Sequence, residues 1–456
     1  MNKTRRKFVN LRFINPGNTM EQLLHYCWKH KLLPLHELTT TDGKAVEVVH
    51  PGIHNTHAGP DFFNAKVRID GTLWAGNVEI HDKAGDWYAH GHHQDTAYDN
   101  VVLHVCSVID REVTRSDGQP IPHLQMDVPA EVAANYDELR STDHYPPCYK
   151  VVPHLNQLMV TGWLAALQTE RLEQKTADIV RRAERHNGDW EKACFITLAR
   201  NHGFGTNGAS FEAWAHHLSL AAAAKHRDNL LQVEALFLGQ AGLLNPDKMT
   251  DKHRKAALAD PYFQLLHNEY AFLAHKFSLT EVENCPWKYL RMRPHNFPHI
   301  RMARLAALYH SGKAGLSRLT ECQSPAEAAE MYRAELSDYW QNHYLFGTPS
   351  ARSTQGITDA SLRLLLINTA IPTLFAYGRH TSKEALCRRA GEWLEQLRPE
   401  QNRVTKLWKD CGLTAAHAGE SQALLQLRQN YCDRSECLRC RIGYVYLSAR
   451  FNHTDG

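Results

Sequence analysis

Long apolar runs are missing from this 456-residue chain. No stretch reaches the roughly 18 consecutive apolar residues that a membrane span needs, so no membrane partner is expected. The beginning, MNKTRRKFVNLRF, is basic but has no apolar segment behind it, which argues against a secretory signal. Residues 1–19 read as a disordered leader. Charge of one sign is scarce too: 52 Lys and Arg against 49 Asp and Glu leave a formal +3. A dedicated nucleic-acid binder shows a larger or more concentrated excess, so bulk charge names no partner. There is no repeat at fixed period and no HExxH pair. The glycine-rich stretch Gly203–Gly208 lacks the P-loop lysine and follows a helical pattern, so it reads as a loop. Eleven cysteines are scattered without a disulfide framework, which fits a cytoplasmic chain with mostly free thiols.

Histidine is abundant, at 29 residues. Seven of them (His54, His57, His81, His90, His92, His93, His104) fall between Pro51 and Cys106, among short β-type runs and several acids. Alternation and β-branched content predict strands over 46–49, 65–70, 72–81 and 101–108, after a helix over 20–33. Asp70-Gly71 predicts a tight hairpin between two of the strands. A further strand or two is expected around Pro120–Met126. From about 155 the strand signals fade and amphipathic helical patterns take over. The expected fold is α+β: a sheet domain over 20–150, a larger all-α domain over 151–430, and a cysteine-rich end over 431–456.

Asp61 follows a Gly-Pro turn, and Glu79-Ile80-His81 comes eighteen residues later on the next strand. Two carboxylates separated by one hairpin converge at one end of a sheet. They suit a hard ion such as Mg²⁺ or Mn²⁺, which polarises a phosphoryl oxygen and supplies an activated water. His81 shares a strand face with Glu79. A bland alternative makes Gly59-Pro60-Asp61 a turn and pairs Glu79 with Lys66 or Lys83. A zinc alternative gathers His90, His92 and His93 with Asp86 and Asp95. His104, inside an apolar strand, reads as a satisfied core histidine.

Lys288–Arg304 combines Arg291, Arg293, Arg301 and Arg304 with aromatic residues, a mixture that fits phosphates and bases of DNA or RNA. Pairing of these arginines with acids between helices is the plainer reading. Cys432-x4-Cys437-x2-Cys440 has the local spacing of a Zn²⁺ or iron–sulfur site, with Cys411 or Cys148 as the fourth ligand. Three buried small side chains are the plainer reading there.

The strand order and the Pro60-Asp61…Glu79-x-His81 pattern resemble the PD-(D/E)xK nuclease superfamily. That resemblance implies an αβββαβ restriction-endonuclease-like core, with Asp61 and Glu79 as Mg²⁺ ligands. It leaves the lysine role to His81 or to Lys66. Some nucleases of that kind close an iron–sulfur cluster with distant cysteines, a precedent that favours Cys148. More closely, the chain is similar to a bacterial family of unknown function, number 2851 in the domain-of-unknown-function series. The similarity rests on TTDGKAVEVVHPGIHNTHAGPDFFNAKVRIDGTLWAGNVEIH, DWYAHGHHQDTAYDNVVLHV, NLLQVEALFLGQAGLL, LRMRPHNFPHIRMARLA and YCDRSECLRCRIG. Three functions stay open: a metal-dependent nuclease or a nucleic-acid-binding relative that has lost cleavage; a non-catalytic scaffold; and a zinc hydrolase using the histidine-rich loop.

Overall fold

The computed structural model describes residues 16–33, 37–283, 285–350 and 356–449. Of the expected leader, residues 1–15 lie outside the described residues, and 16–19 form the first turn of a helix. The chain forms two compact units, residues 1–159 with 429–456, and residues 160–428. The division falls inside the first turn of a long helix rather than in the Pro-Pro stretch before it. The cysteine-rich end is not a unit of its own: it belongs with the sheet.

The first unit opens with α1 (Pro16–His30), which buries Leu23, Leu24, Cys27 and Trp28. Seven strands follow: β1 (Leu38–Thr39), β2 (Ala45–His50), β3 (Ile53–His54), β4 (Phe62–Ile69), β5 (Thr72–Lys83), β6 (Val101–Val108) and β7 (His123–Gln125). Sheet order is β1-β2-β4-β5-β6-β7, with β3 beside β4. Asp70 and Gly71 both take positive φ and join β4 to β5, which suits a two-residue turn whose twist matches the strands. β4 alternates buried and exposed residues, as a strand with one wet face does. β5 does not: Val78, Glu79, Ile80 and His81 are all buried, because both faces are covered at that end.

β5, β6 and β7 run parallel, and the β5–β6 crossover is unusually slight. It consists of α2 (Asp86–Ala89) and two single 3₁₀ turns, held by buried Trp87 and Tyr98. A Thr40–Leu124 bridge and a bond from Thr41 N–H to the His123 carbonyl (3.0 Å) join the two sheet edges. The sheet therefore curls towards closure.

After β7, α3 (Ala130–Ser141) receives the chain end. Fully buried Asn135 donates from Nδ2 to the carbonyls of Tyr446, Leu447 and Ala449 at 2.9–3.2 Å. These carbonyls lie at the C-terminal end of the helix Arg441–Ser448, so the Asn135 amide ties α3 to that end. The Tyr446 hydroxyl donates to Glu138 at 2.7 Å.

Among the described residues, the second unit is helical apart from the short pair His343–Leu345 and Thr348–Pro349. Most of α4 (Gln157–Arg185) lies in it. Its core is built from residues such as Trp214, Phe237, Phe263, Trp340 and Trp393. Asp359–His380 is long and apolar enough to cross a membrane by length and composition, and 61% of its most apolar stretch is buried in the fold.

Candidate metal centre on the sheet

Parallel pairing places Glu79 beside His104, His81 beside Cys106, and His104 beside His123. Partners in register share a face, so one face of β5–β7 carries Glu79, His81, His104, Cys106 and His123 in a row. The β5–β6 crossover lies against this face. Trp87 sits 5.4 Å from the His92 ring and 5.3 Å from the His104 ring, and Tyr98 stacks on His92 at 3.9 Å. The crossover also delivers His90 and His92. Among the described residues, the ligand atoms of His81, His90 and His92 lie within 4.8 Å of one another. Glu79 Oε1 is 3.3 Å from His92 Nε2 and 3.6 Å from His81 Nε2. His81 is buried, His92 is half-buried and His90 is exposed, so the group opens to solvent on the His90 side.

Asp61 adjoins this group from the start of β4. Its backbone N–H donates to Glu79 Oε2 at 3.0 Å, and its Oδ2 accepts from the Ile80 N–H at 2.9 Å. Asn55 shapes the preceding turn by donating from Nδ2 towards the carbonyls of His57, Ala58, Gly59 and Pro60. His25 on α1 meets Asp61 Oδ2 at 3.2 Å. Glu21, one helical turn earlier, lies close enough to feel the charges of His25, Asp61 and His90.

The electrostatics separate these groups. Burial pushes the Glu79 carboxyl up to about 9, with the neighbouring Asp61 charge adding to the effect. Burial also acts to raise Asp61, but the His25 hydrogen bond and charge outweigh it and hold Asp61 below its usual value. Burial acts to lower His25, and the bond to Asp61 overrides it, so His25 is raised. Burial first, then His90 and His92, take His81 down to about 3. His81 is thus a neutral imidazole, suited to ligate an ion rather than to supply a lysine-like charge. Lys66 is exposed on β4 and pairs with Ala75. That is four residues along β5 from Glu79, or about 13 Å at strand rise. The basic side chain that touches Asp61 is His25, which sequence reasoning missed; Glu21 and His25 four apart on a helix were its signal.

The structure brings together Asp61, Glu79 and His81, and adds His90 and His92 from the zinc alternative. It leaves out His93, which packs on Tyr88 at 4.9 Å. Asp86 and Asp95 serve backbone turns, accepting from the N–H groups of Lys83 and Ala97.

Cys148, Cys432, Cys437 and Cys440 all lie in the first unit. The Cys148 thiol is raised by burial and by the nearby thiols of Cys432, Cys440 and Cys437. Cys411 lies in the second unit, at the end of the helix Arg403–Asp410.

The four arginines do not share one open surface. Arg291 and Arg293 are exposed, whereas Arg301 and Arg304 are buried on the helix Pro298–Ser311. Arg301 lies over the Phe204 ring at 4.1 Å and bonds to Asn296.

No curated protein and no solved structure matches the chain. A family described as "Protein of unknown function (DUF2851)" matches residues 21–403, most of the sequence. The chain belongs to that family.

Proposed function

We propose that the first unit is a metal-dependent hydrolase whose ion is held by His81, His90, His92 and Glu79. The observation that carries this reading is the convergence of three imidazoles and one carboxylate, two of them deeply buried, at a solvent-facing edge. Three nitrogens and one oxygen form a donor set for Zn²⁺ or a similar transition ion, whereas Mg²⁺ prefers oxygen throughout. Mn²⁺ is the hard ion that tolerates both. Such an ion supplies Lewis acidity and an activated water.

The chain's own residues do the rest. Glu79 and His81 are fixed by the β5–β6 register, and Trp87 and Tyr98 hold the loop that brings His92. Asp61, kept ionised by His25, supplies a fixed negative charge that can orient a nucleophile by accepting its hydrogen bond. A phosphodiester is the substrate class supported by the Asp-hairpin-Glu arrangement on an antiparallel pair followed by a parallel strand. That arrangement also supports a nuclease-type site, with DNA or RNA as partner. Cys148, Cys432, Cys437 and Cys440 form a separate structural site for Zn²⁺ or an iron–sulfur cluster, tying the Cys432–Cys440 segment to Cys148.

The test is hydrolysis of single- and double-stranded DNA and RNA, and of a bis-aryl phosphodiester, with Zn²⁺ and Mn²⁺ at neutral pH. The expected result is metal-dependent turnover that is lost in His92→Ala and Asp61→Asn. Turnover unchanged in both variants, or none with any of these substrates, overturns the reading.

A further inference from the structure

We propose that a polar cavity in the second unit, walled by Arg171, Lys175, Arg182 and Arg200, binds one phosphate-class oxyanion, as the free ion or as the monoester of a small molecule. The site belongs to the helical unit and does not rest on the metal reading. The cavity measures about 270 Å³. That is below the roughly 300–1,000 Å³ usual for drug-sized ligands, so its occupant is small. It lies between α4, the helix Trp190–His202 and the turn Leu366–Ala370. Pro372 explains how this wall is built. Leu366–Ala370 is a π turn, in which the Ile371 N–H reaches back five residues to the Leu366 carbonyl. Residue 372 would serve the Ile367 carbonyl in π geometry or the Asn368 carbonyl in α geometry, but proline has no N–H to give. Side chains take over. Lys175 Nζ donates to the Ile367 carbonyl at 3.4 Å, and Asn201 Nδ2 donates to the Asn368 carbonyl at 2.8 Å. The break in the helix thus draws Lys175 to the cavity wall, and π turns of this kind frequently mark functional sites.

The charges on the wall are not balanced. Asp178 is the one acid among the described lining residues, and it pairs with Arg181. Glu212 serves two guanidinium groups at once, Arg182 Nε at 2.7 Å and Arg200 Nη1. Among the described residues, Lys175 Nζ meets only uncharged acceptors. Besides the Ile367 carbonyl they are Asn368 Oδ1 at 2.9 Å and Gln422 Oε1 at 2.6 Å. Burial takes the amine down to about 7; the Arg171 charge adds to this, and Glu400 opposes it too weakly to restore the usual value. A buried cation without a counter-charge is costly, and an oxyanion in the cavity supplies one. Guanidinium and ammonium donors from two helices suit a tetrahedral oxyanion, whose oxygens accept from several directions.

The experiment is isothermal titration calorimetry of the full chain with inorganic phosphate and with glycerol 3-phosphate, on wild type, Lys175→Met, Arg200→Gln and His92→Ala. The expected result is one saturable site per chain in wild type and in His92→Ala, weakened about tenfold or more in Lys175→Met and in Arg200→Gln. Tighter binding of glycerol 3-phosphate marks a monoester site, and equal or tighter binding of phosphate marks a free-ion site; either upholds the cavity. Absence of saturable binding of both probes to wild type overturns it, whatever the variants' folding. Undiminished affinity in Lys175→Met or Arg200→Gln, with the fold intact by circular dichroism, does so as well. Binding lost in His92→Ala but kept in both cavity variants puts the anion at the metal centre and overturns the cavity site, while leaving the metal reading standing.

Discussion

Glu79 is where burial and function conflict most sharply. Its carboxyl is raised towards about 9, so it is protonated in the metal-free protein at neutral pH. A cation must displace that proton. Metal binding near pH 7 is therefore expected to release protons, with a heat that varies with the buffer's ionisation enthalpy in calorimetry. Glu79→Gln keeps the shape and the acceptor for the Asp61 N–H but cannot ionise. It should lose most metal affinity while folding normally. The sign of the pH effect follows from the direction of the shift. A carboxyl raised from 4.5 contributes stability that is present below 4.5 and lost as pH rises towards 9. Metal-free Glu79→Gln should thus lose less stability than wild type between neutral and alkaline pH, by thermal denaturation in chelator. Equal alkaline losses would contradict this. His81 and His104 run the other way. Both are lowered, to about 3 and about 2, so their contribution is present above 6.5 and lost as pH falls. The metal-free first unit should weaken steadily below pH 6.5, and His104→Gln should flatten that limb.

At the scale of elements, β5 positions the site because β4 and β6 clamp it from both sides. Gly76 sits where β6 approaches: a Cβ there would lie 2.3 Å from Val102 Cγ1 and 2.7 Å from the Asn100 carbonyl. Gly76→Ala should cost about 1–3 kcal/mol by overpacking, read as a lower urea midpoint with unchanged slope. An unaltered midpoint would mean that the β5–β6 pairing tolerates displacement there. The strands themselves were legible in the sequence. Residues 101–108 are apolar and β-branched, and Asp70-Gly71 marks a turn. Asp61, Glu79 and His81 were legible as a group because they flank one hairpin. What the sequence hid was register. His104 reads as a core residue until parallel pairing sets it against Glu79 and His123. His90 and His92 are separable from His93 only once the crossover's turns are known. Arg301 and Arg304 read as a phosphate-fitting group with Arg291 and Arg293 because helical spacing does not reveal which face a large helical core will cover.

For the whole molecule, the chain leaves the first unit at residue 159 and returns at 429, so the helical unit is inserted within the first in sequence. Composition shows where helices begin but not that the end rejoins the sheet unit, since that depends on distant contacts such as Asn135 with Tyr446–Ala449. Asn135→Ala removes three hydrogen bonds to that helix end and should destabilise the first unit by about 1–3 kcal/mol. Calorimetry should show one transition falling while the other holds; both falling together would contradict separate units. The central claim is that three histidines and Glu79 hold one ion. X-ray absorption spectroscopy at the zinc edge, on the full chain loaded with one equivalent of Zn²⁺, tests it most directly. The account predicts a shell of nitrogen and oxygen scatterers with imidazole multiple scattering that disappears in His81→Ala/His92→Ala. The four-cysteine site, if it competes for the ion, shows as sulfur scattering and is subtracted with a Cys437→Ser control. A zinc shell without imidazole scattering in that control would contradict the account.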